Sequence, residues 1–280
     1  MGETTRGIKR IDSDNNASYK QWLKLKTAHG RKKEGRVLLE SRKLVAEALD
    51  VGKTVDVLIV EEGKENALES MLAYCRIFTV NGNVNLPPLV VLASSLFRKL
   101  SVMEQPDGIL AVLCMDQPDA MPSMKSGRWL LLDHLQDPGN VGTLLRSAEA
   151  FGFTHIVSLA SADFASEKVL RASMGAALRM HLYHVDEGSV NGWKKRGTIP
   201  WIGADLEGQA IDAFAFPNDF VLVIGNEGRG LSPEVADAMD AFVTIPMQGG
   251  GESLNAAVSG SILMAWAALQ PSEKRHSNPQ

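Results

Sequence analysis

Apolar residues fall along this chain in short unbroken runs separated by stretches with helical spacing. Phe220–Ile224 and Trp129–Asp133 are nearly continuous apolar runs, the pattern of strands buried on both faces. Further strands are expected at His155–Leu159, Ile199–Gly203 and Phe242–Ile245, with helices between most of them. That alternation predicts an α/β fold with a parallel sheet covered on both faces and a ligand site at the carboxyl ends of its strands. Near the end, Leu254, Val258, Ile262, Ala265 and Leu269 recur every three or four positions and predict a core helix with one apolar stripe.

The first half carries its own pattern. A helix at Ala17–Ala28, a basic loop at His29–Gly35, strands at Arg36–Glu40, Val55–Val60, Ile77–Val80, Val90–Leu92 and Ile109–Cys114, and helices at Leu44–Leu49, Glu65–Tyr74 and Ser94–Leu100 make one small α/β unit. Met115–Gly127, with Pro118 and Pro122 and no clear period, is the expected linker. Residues 1–16 are polar and aperiodic and are expected to be loosely attached.

Composition changes this picture in one place. The net charge is only -4, yet Lys20–Lys43 holds nine basic residues against Glu34 and Glu40, so the rest of the chain is acidic. A local basic stripe suggests a footprint for a polyanion, the other reading being a solvated charged face. Two distant cysteines, Cys75 and Cys114, suit a reduced intracellular protein and offer no metal knuckle. No signal-like or membrane-length apolar segment is present, so a cytoplasmic protein is expected.

Candidate chemistry sits after three strands. Phe220–Ile224 empties into Gly225-Asn-Glu-Gly-Arg-Gly-Leu231, and Val243–Ile245 leads to Gly249–Gly251, Ser253 and Asn255. Glycines let main chain approach a ligand closely. Ser253 is the expected N-cap of the last helix, with Asn255 in its first turn. A plain turn before a core helix is the other reading. Neither loop is a P-loop or a Rossmann fingerprint. The third stretch, Asp133 to Gly152, has Pro138-Gly139 as a turn, Asn140 as expected N-cap and Arg146 in the helix. A cation near a helix N-terminus calls for an anionic partner, either a ligand or Glu227. His181 and His184 face opposite sides of a strand, and Trp193, Trp201 and Trp266 suit a core or a dimer interface.

Together, Asn140-x-Gly142-x-x-x-Arg146, Gly225-Asn-Glu-Gly-Arg-Gly-Leu231 and Ile245-Pro-Met with Ser253-Leu-Asn255 resemble the three ordered motifs of the SpoU (TrmH-type) ribose 2'-O-methyltransferases of the SPOUT superfamily. Arg171–Ala176 matches a segment common between the first two motifs, and the N-terminal unit resembles an L30e-like RNA-binding domain. Ser41 departs from that domain's pattern, which usually has glycine there.

The resemblance implies a flexible segment at 1–16, an L30e-like RNA substrate-binding domain at 17–114, a linker at 115–127, a methyltransferase domain with a C-terminal trefoil knot at 128–270, and a flexible tail at 271–280. It implies S-adenosylmethionine as cofactor, held by Ala204, Gly225, Asn226, Gly228, Ile245, Met247 and Leu254, with no metal. Asn140, Arg146, Glu227, Ser253 and Asn255 would be catalytic, with Arg146 activating the 2'-hydroxyl, Asn140 and Glu227 orienting it, and Ser253 and Asn255 holding substrate or cofactor. Lys32, Lys33, Arg36 and Arg229 would contact RNA; a loop-ordering ion pair is the other reading of Arg229. The expected substrate is ribosomal (23S-type) RNA and the expected assembly a homodimer through the catalytic domain. A tRNA methyltransferase, or a non-catalytic RNA-binding ribosome assembly factor, are the alternatives.

Overall fold

A computed structural model describes residues 9–75, 86–114, 122–249 and 253–270. The chain divides into two units, residues up to 117 with Ala165–Arg179, and residues 118–164 with those from 180 onward.

The first unit runs β1 (Lys9–Ile11), α1 (Ala17–Lys24), α2 (Ala28–Glu34), β2 (Arg36–Glu40), α3 (Arg42–Asp50), β3 (Val55–Glu61), α4 (Asn66–Leu72), β4 (Leu89–Leu92), α5 (Ser94–Leu100) and β5 (Ile109–Cys114), and takes in α7 (Glu167–Ala172) from later in the chain. Its five strands lie in the order β1-β4-β3-β5-β2, with β5 antiparallel to both neighbours. One core gathers Tyr19, Trp22, Phe97, Ile59, Leu92 and Leu110 from α1, α5 and the sheet; full burial of an aliphatic or aromatic side chain of this kind contributes about 1.5–3 kcal/mol.

Two expectations for this unit change, and one lies beyond the described residues. The polar N-terminal stretch contains β1, which pairs parallel to β4 and buries Ile11; three residues are too short a run for periodicity to register. The basic loop at His29–Gly35 is mostly helix α2, because the Thr27 hydroxyl accepts from Gly30 N–H at 3.1 Å and Gly35, at φ 61°, closes the other end. The strand expected at Ile77–Val80 lies outside the described residues. Ser41 itself holds φ 106°, a conformation glycine favours, and its hydroxyl accepts from Leu44 N–H at 3.3 Å to cap α3. The turn is kept with serine in glycine's place.

The second unit has β6 (Arg128–Asp133), α6 (Pro138–Ala150), β7 (Phe153–Leu159), β8 (His181–Val185), α8 (Val190–Arg196), β9 (Trp201–Ala210), β10 (Phe220–Ile224), α9 (Pro233–Ala236), β11 (Ala241–Thr244) and α10 (Ala256–Leu269). Six strands form one parallel sheet in the order β11-β9-β10-β6-β7-β8, as the continuous apolar runs require. Every residue of β10 is buried. β9 and β11 slip register at Phe242/Val243, so that Phe242 pairs with Gly203 but Val243 with Gln209. The slip throws Ala204–Gly208 out of the ladder. Among the described residues no helix is long and apolar enough to cross a membrane.

The last helix buries the other face from the one its apolar spacing marked. Ala256, Ala257, Gly260, Leu263, Met264 and Ala267 face inward, while Leu254, Val258, Ile262, Trp266 and Leu269 are exposed. Gly260 explains the choice: a Cβ there would stand 2.4 Å from Leu144 Cδ2, so α10 lies against α6 on its small-residue side.

Candidate active site

The ends of β9, β10 and β11 open into one cleft of about 600 Å3. Its floor is apolar, from Ile224, Val243 and Leu263, and its walls are the Ala204–Glu207 bulge, the Gly225–Gly230 loop, Thr244–Met247 and the Ser253–Ala256 approach to α10. Ala204, Gly225, Asn226, Gly228, Ile245, Met247 and Leu254 all line it, as do Glu227, Arg229 and Ser253.

The Gly225–Leu231 loop is a tight hairpin. Asn226 and Gly230 exchange both backbone hydrogen bonds, at 2.9 and 3.0 Å, and Asn226 Oδ1 accepts from the N–H groups of Gly228 and Arg229. A Cβ on Gly225 would fall 2.4 Å from the Gly230 carbonyl carbon, so glycine is required there by close backbone approach.

Asn140, Glu227 and Asn255 come from three separate stretches and meet in one line. Asn255 Nδ2 donates to Asn140 Oδ1 at 3.0 Å, and Asn140 Nδ2 donates to Glu227 Oε1 at 2.7 Å. The caps differ from expectation. Asp137 caps α6, accepting from Asn140 N–H at 2.8 Å with Pro138 at the first helical position, which moves Asn140 into the first turn and frees its amide for the relay. Asn255, not Ser253, caps α10, its Oδ1 accepting from Ala257 and Val258 N–H.

Arg146 lies on α6, exposed and outside the residues lining the cleft, and among the described residues it makes no ion pair; Glu227 is committed to Asn140 instead. Arg229 is exposed at the cleft and likewise makes no ion pair among the described residues. In the first unit Lys32 and Lys33 project from α2, while Arg36 pairs with Asp56 beside a separate cleft of about 360 Å3.

One residue beside the cleft lies in the third stretch but outside its Asn140–Arg146 motif. His134 follows β6 with φ 58°, and its Nδ1 lies 2.6 Å from Oδ1 of the fully buried Asp133 and its Nε2 3.0 Å from Glu187 Oε1. Hydrogen bonds to Asp133 and then Glu187 hold its pKa above the ordinary histidine value. Its carbonyl accepts from Asn226 Nδ2 at 2.9 Å, which ties it to the cleft loop. A histidine beside an acid at a strand end is the available signal, too common by itself to single out.

Comparison with known proteins adds the following. Residues 128–265 match the SpoU rRNA Methylase family, and residues 16–111 match an MRM3-like substrate binding domain. The chain is 30% identical over 266 residues to the 23S rRNA (guanosine(2553)-2'-O)-methyltransferase RlmP of Bacillus subtilis, covering 92% of this chain and 98% of that protein. A putative RNA methyltransferase of the TrmH family from Porphyromonas gingivalis superimposes with a TM-score of 0.75 at 33% identity, over 92% of this chain and 98% of that one. The SpoU methyltransferase AviRb from Streptomyces viridochromogenes, solved with AdoMet, superimposes with a TM-score of 0.74 at 26% identity, over 90% and 98%.

Proposed function

The chain belongs to the SpoU rRNA methylase family, and from that membership we propose that it is an S-adenosylmethionine-dependent RNA methyltransferase that modifies a ribose 2'-hydroxyl in 23S-type ribosomal RNA. The observation that carries this reading is the line of amides from Asn255 through Asn140 to Glu227, beside a glycine-walled cleft. Three motifs distant in sequence bear on one carboxylate there.

The cleft suits the cofactor chemically. Its volume lies within the about 300–1,000 Å3 usual for cofactor sites. Apolar side chains of Ile224, Val243, Ile245 and Leu263 offer a slot for an aromatic ring, bare main chain offers hydrogen bonds, and Asp205, Glu207 and Glu227 offer negative charge to a cationic ligand. When bound, S-adenosylmethionine supplies an electrophilic methyl group on a sulfonium. The protein's part is to bring a hydroxyl oxygen into line with it.

Glu227, fixed by Asn140, accepts from the 2'-hydroxyl and orients its oxygen. Asn255 gives its oxygen to the α10 cap and one amide N–H to Asn140, so it positions the relay and keeps its second N–H for substrate or cofactor. Ser253 stands exposed at the cleft for substrate or cofactor. A guanidinium stays protonated and only donates. Arg146 therefore binds a substrate phosphate and stabilises the developing alkoxide, with the proton leaving to that phosphate or to water.

The first unit, which includes β1, binds RNA; the methyltransferase domain begins at about residue 128, and its C-terminal segment is threaded as a trefoil knot. The exposed stripe Val258, Ile262, Trp266 and Leu269 supports a homodimer through the catalytic domain, since an apolar helix face of this kind is covered by association.

Titration calorimetry with S-adenosylmethionine, joined to mapping of 2'-O-methyl sites in RNA from cells with and without the gene, tests the proposal. Binding with loss of one site in 23S-type RNA is expected; loss of a tRNA site would redirect the substrate, and neither binding nor a lost site would leave a non-catalytic RNA-binding protein.

A further inference from the structure

No role attaches to His134 from the sequence, yet every polar group it has is engaged. Its N–H donates to Leu159 O at 2.9 Å, its carbonyl accepts from Asn226 Nδ2 at 2.9 Å, and each ring nitrogen meets a carboxylate oxygen. It holds φ 58°, uncommon for a residue with a Cβ. Such a conformation persists where its surroundings over-determine it.

The ring's protonation follows from its partners. A neutral imidazole has one N–H donor, and ionised carboxylates only accept. With Asp133 Oδ1 at 2.6 Å and Glu187 Oε1 at 3.0 Å, both contacts are hydrogen bonds only if both nitrogens donate, that is, in the imidazolium. Asp133 is anchored from the far side by Ser232 N–H, which donates to its Oδ2 at 2.6 Å, and the Glu187 loop is anchored by Gly188 N–H donating to Glu234 Oε2 at 3.0 Å. Among the described residues, the charged groups acting on the ring are Asp133 from β6 and Glu187 from the loop after β8, both acidic, with Glu234 of α9 holding the Glu187 loop.

We propose that His134 is a positioning residue for the cofactor loop: clamped as a cation between Asp133 and Glu187, it fixes the carbonyl on which Asn226 anchors the Gly225–Leu231 hairpin. Asn226 spends its Nδ2 on that carbonyl and its Oδ1 on Gly228 and Arg229 N–H. The clamp therefore reaches the cleft through one side chain. This inference rests on the reading of the cleft as the S-adenosylmethionine site.

The sign follows from the cation being the clamped form. A histidine whose pKa is raised on folding contributes fully below its ordinary value, about 6.5, and loses its contribution as pH climbs through the raised value. Cofactor affinity should fall over that alkaline window.

The test is calorimetric titration with S-adenosylmethionine across pH, with the His134 ring followed by NMR, in the full chain and in Glu187→Gln. Glu187 is 72% exposed at its side chain, so its replacement spares the fold. Losing one ionised acceptor should lower the ring's pKa and move the pH midpoint of binding down with it, while affinity on the acid side stays within about twofold. The ligand's own ionisation is common to both proteins and drops out of the comparison. His134→Gly, which keeps the left-handed backbone and the carbonyl, should weaken binding about tenfold, as for the removal of one charge-assisted hydrogen bond, and flatten the pH profile. A ring that titrates lower in Glu187→Gln with an unmoved binding midpoint overturns the proposal, as does an unchanged profile in His134→Gly. Failure of the cofactor assignment would look different, as absent binding at every pH.

Discussion

The basic stretch of the first unit and the motif cluster of the second both draw notice by their side chains, and the fold treats them oppositely. In the first, most cations are already committed. Arg31 is buried and donates to Leu25 O at 3.0 Å, Lys26 Nζ donates to the carbonyls of Lys99 and Ser101, Arg36 pairs with Asp56, and Lys24 stands 3.6 Å from Glu34. In the second, the neutral amides are committed to one another while Arg146 and Arg229 carry no ion pair among the described residues. A count of charges therefore overstates the first region, and the cations available to a ligand are those the fold leaves uncommitted.

The largest expected effect breaks the second region outright. Gly225→Val places carbon where the Gly230 carbonyl already stands; forcing the hairpin apart at about 3 kcal/mol weakens S-adenosylmethionine binding about a hundredfold. Calorimetry reads the affinity and circular dichroism checks that the sheet persists. Next comes Arg146→Lys, which keeps the charge and loses the planar fork. About 2 kcal/mol of charge-assisted bonding in the transition state corresponds to about thirtyfold in turnover, with cofactor affinity and melting temperature unmoved because Arg146 is exposed and off the cleft. Unchanged turnover would remove Arg146 from the mechanism. Asn140→Ala should cost about tenfold in turnover by freeing Glu227 to other rotamers, again with affinity preserved; equal loss of binding would make the relay part of the cofactor wall.

Much of this was legible beforehand, for identifiable reasons. Strands buried on both faces announce themselves by unbroken apolar runs, so the six-stranded sheet's central members Trp129–Asp133 and Phe220–Ile224 could be read directly. The glycine loops could be read because close backbone approach dictates glycine, whereas roles for the site residues came only from the resemblance to a known family. What the sequence concealed depends on which of two chemically similar candidates a long-range contact selects. Asp137 caps α6 instead of Asn140, and Asn255 caps α10 instead of Ser253. The orientation of α10 turned on Gly260 meeting Leu144, a contact across more than a hundred residues that no local period encodes. His134 was invisible for the same reason, since Glu187 and Asn226 reach it from distant loops.

The smallest effect sharpens the first region. If availability and not number decides, then Lys32 and Lys33, exposed on α2, should carry the RNA contact, and Arg36, already paired with Asp56, should contribute little. Each phosphate of single-stranded RNA that the protein no longer neutralises lowers the slope of log affinity against log salt by about 0.7. Lys32→Ala with Lys33→Ala should therefore flatten the slope by about 1.4, leaving S-adenosylmethionine affinity unaltered. Arg36→Ala alone should leave the slope nearly as it was, because removing it exposes Asp56 and trades one neutral pair for one acid at a rim the RNA does not need. A filter-binding series over salt concentration separates these outcomes. A slope that drops as much for Arg36→Ala as for one lysine would mean that RNA takes Arg36 from Asp56, and that a surface ion pair worth no more than about 1 kcal/mol is too weak to withhold a cation from a polyanion.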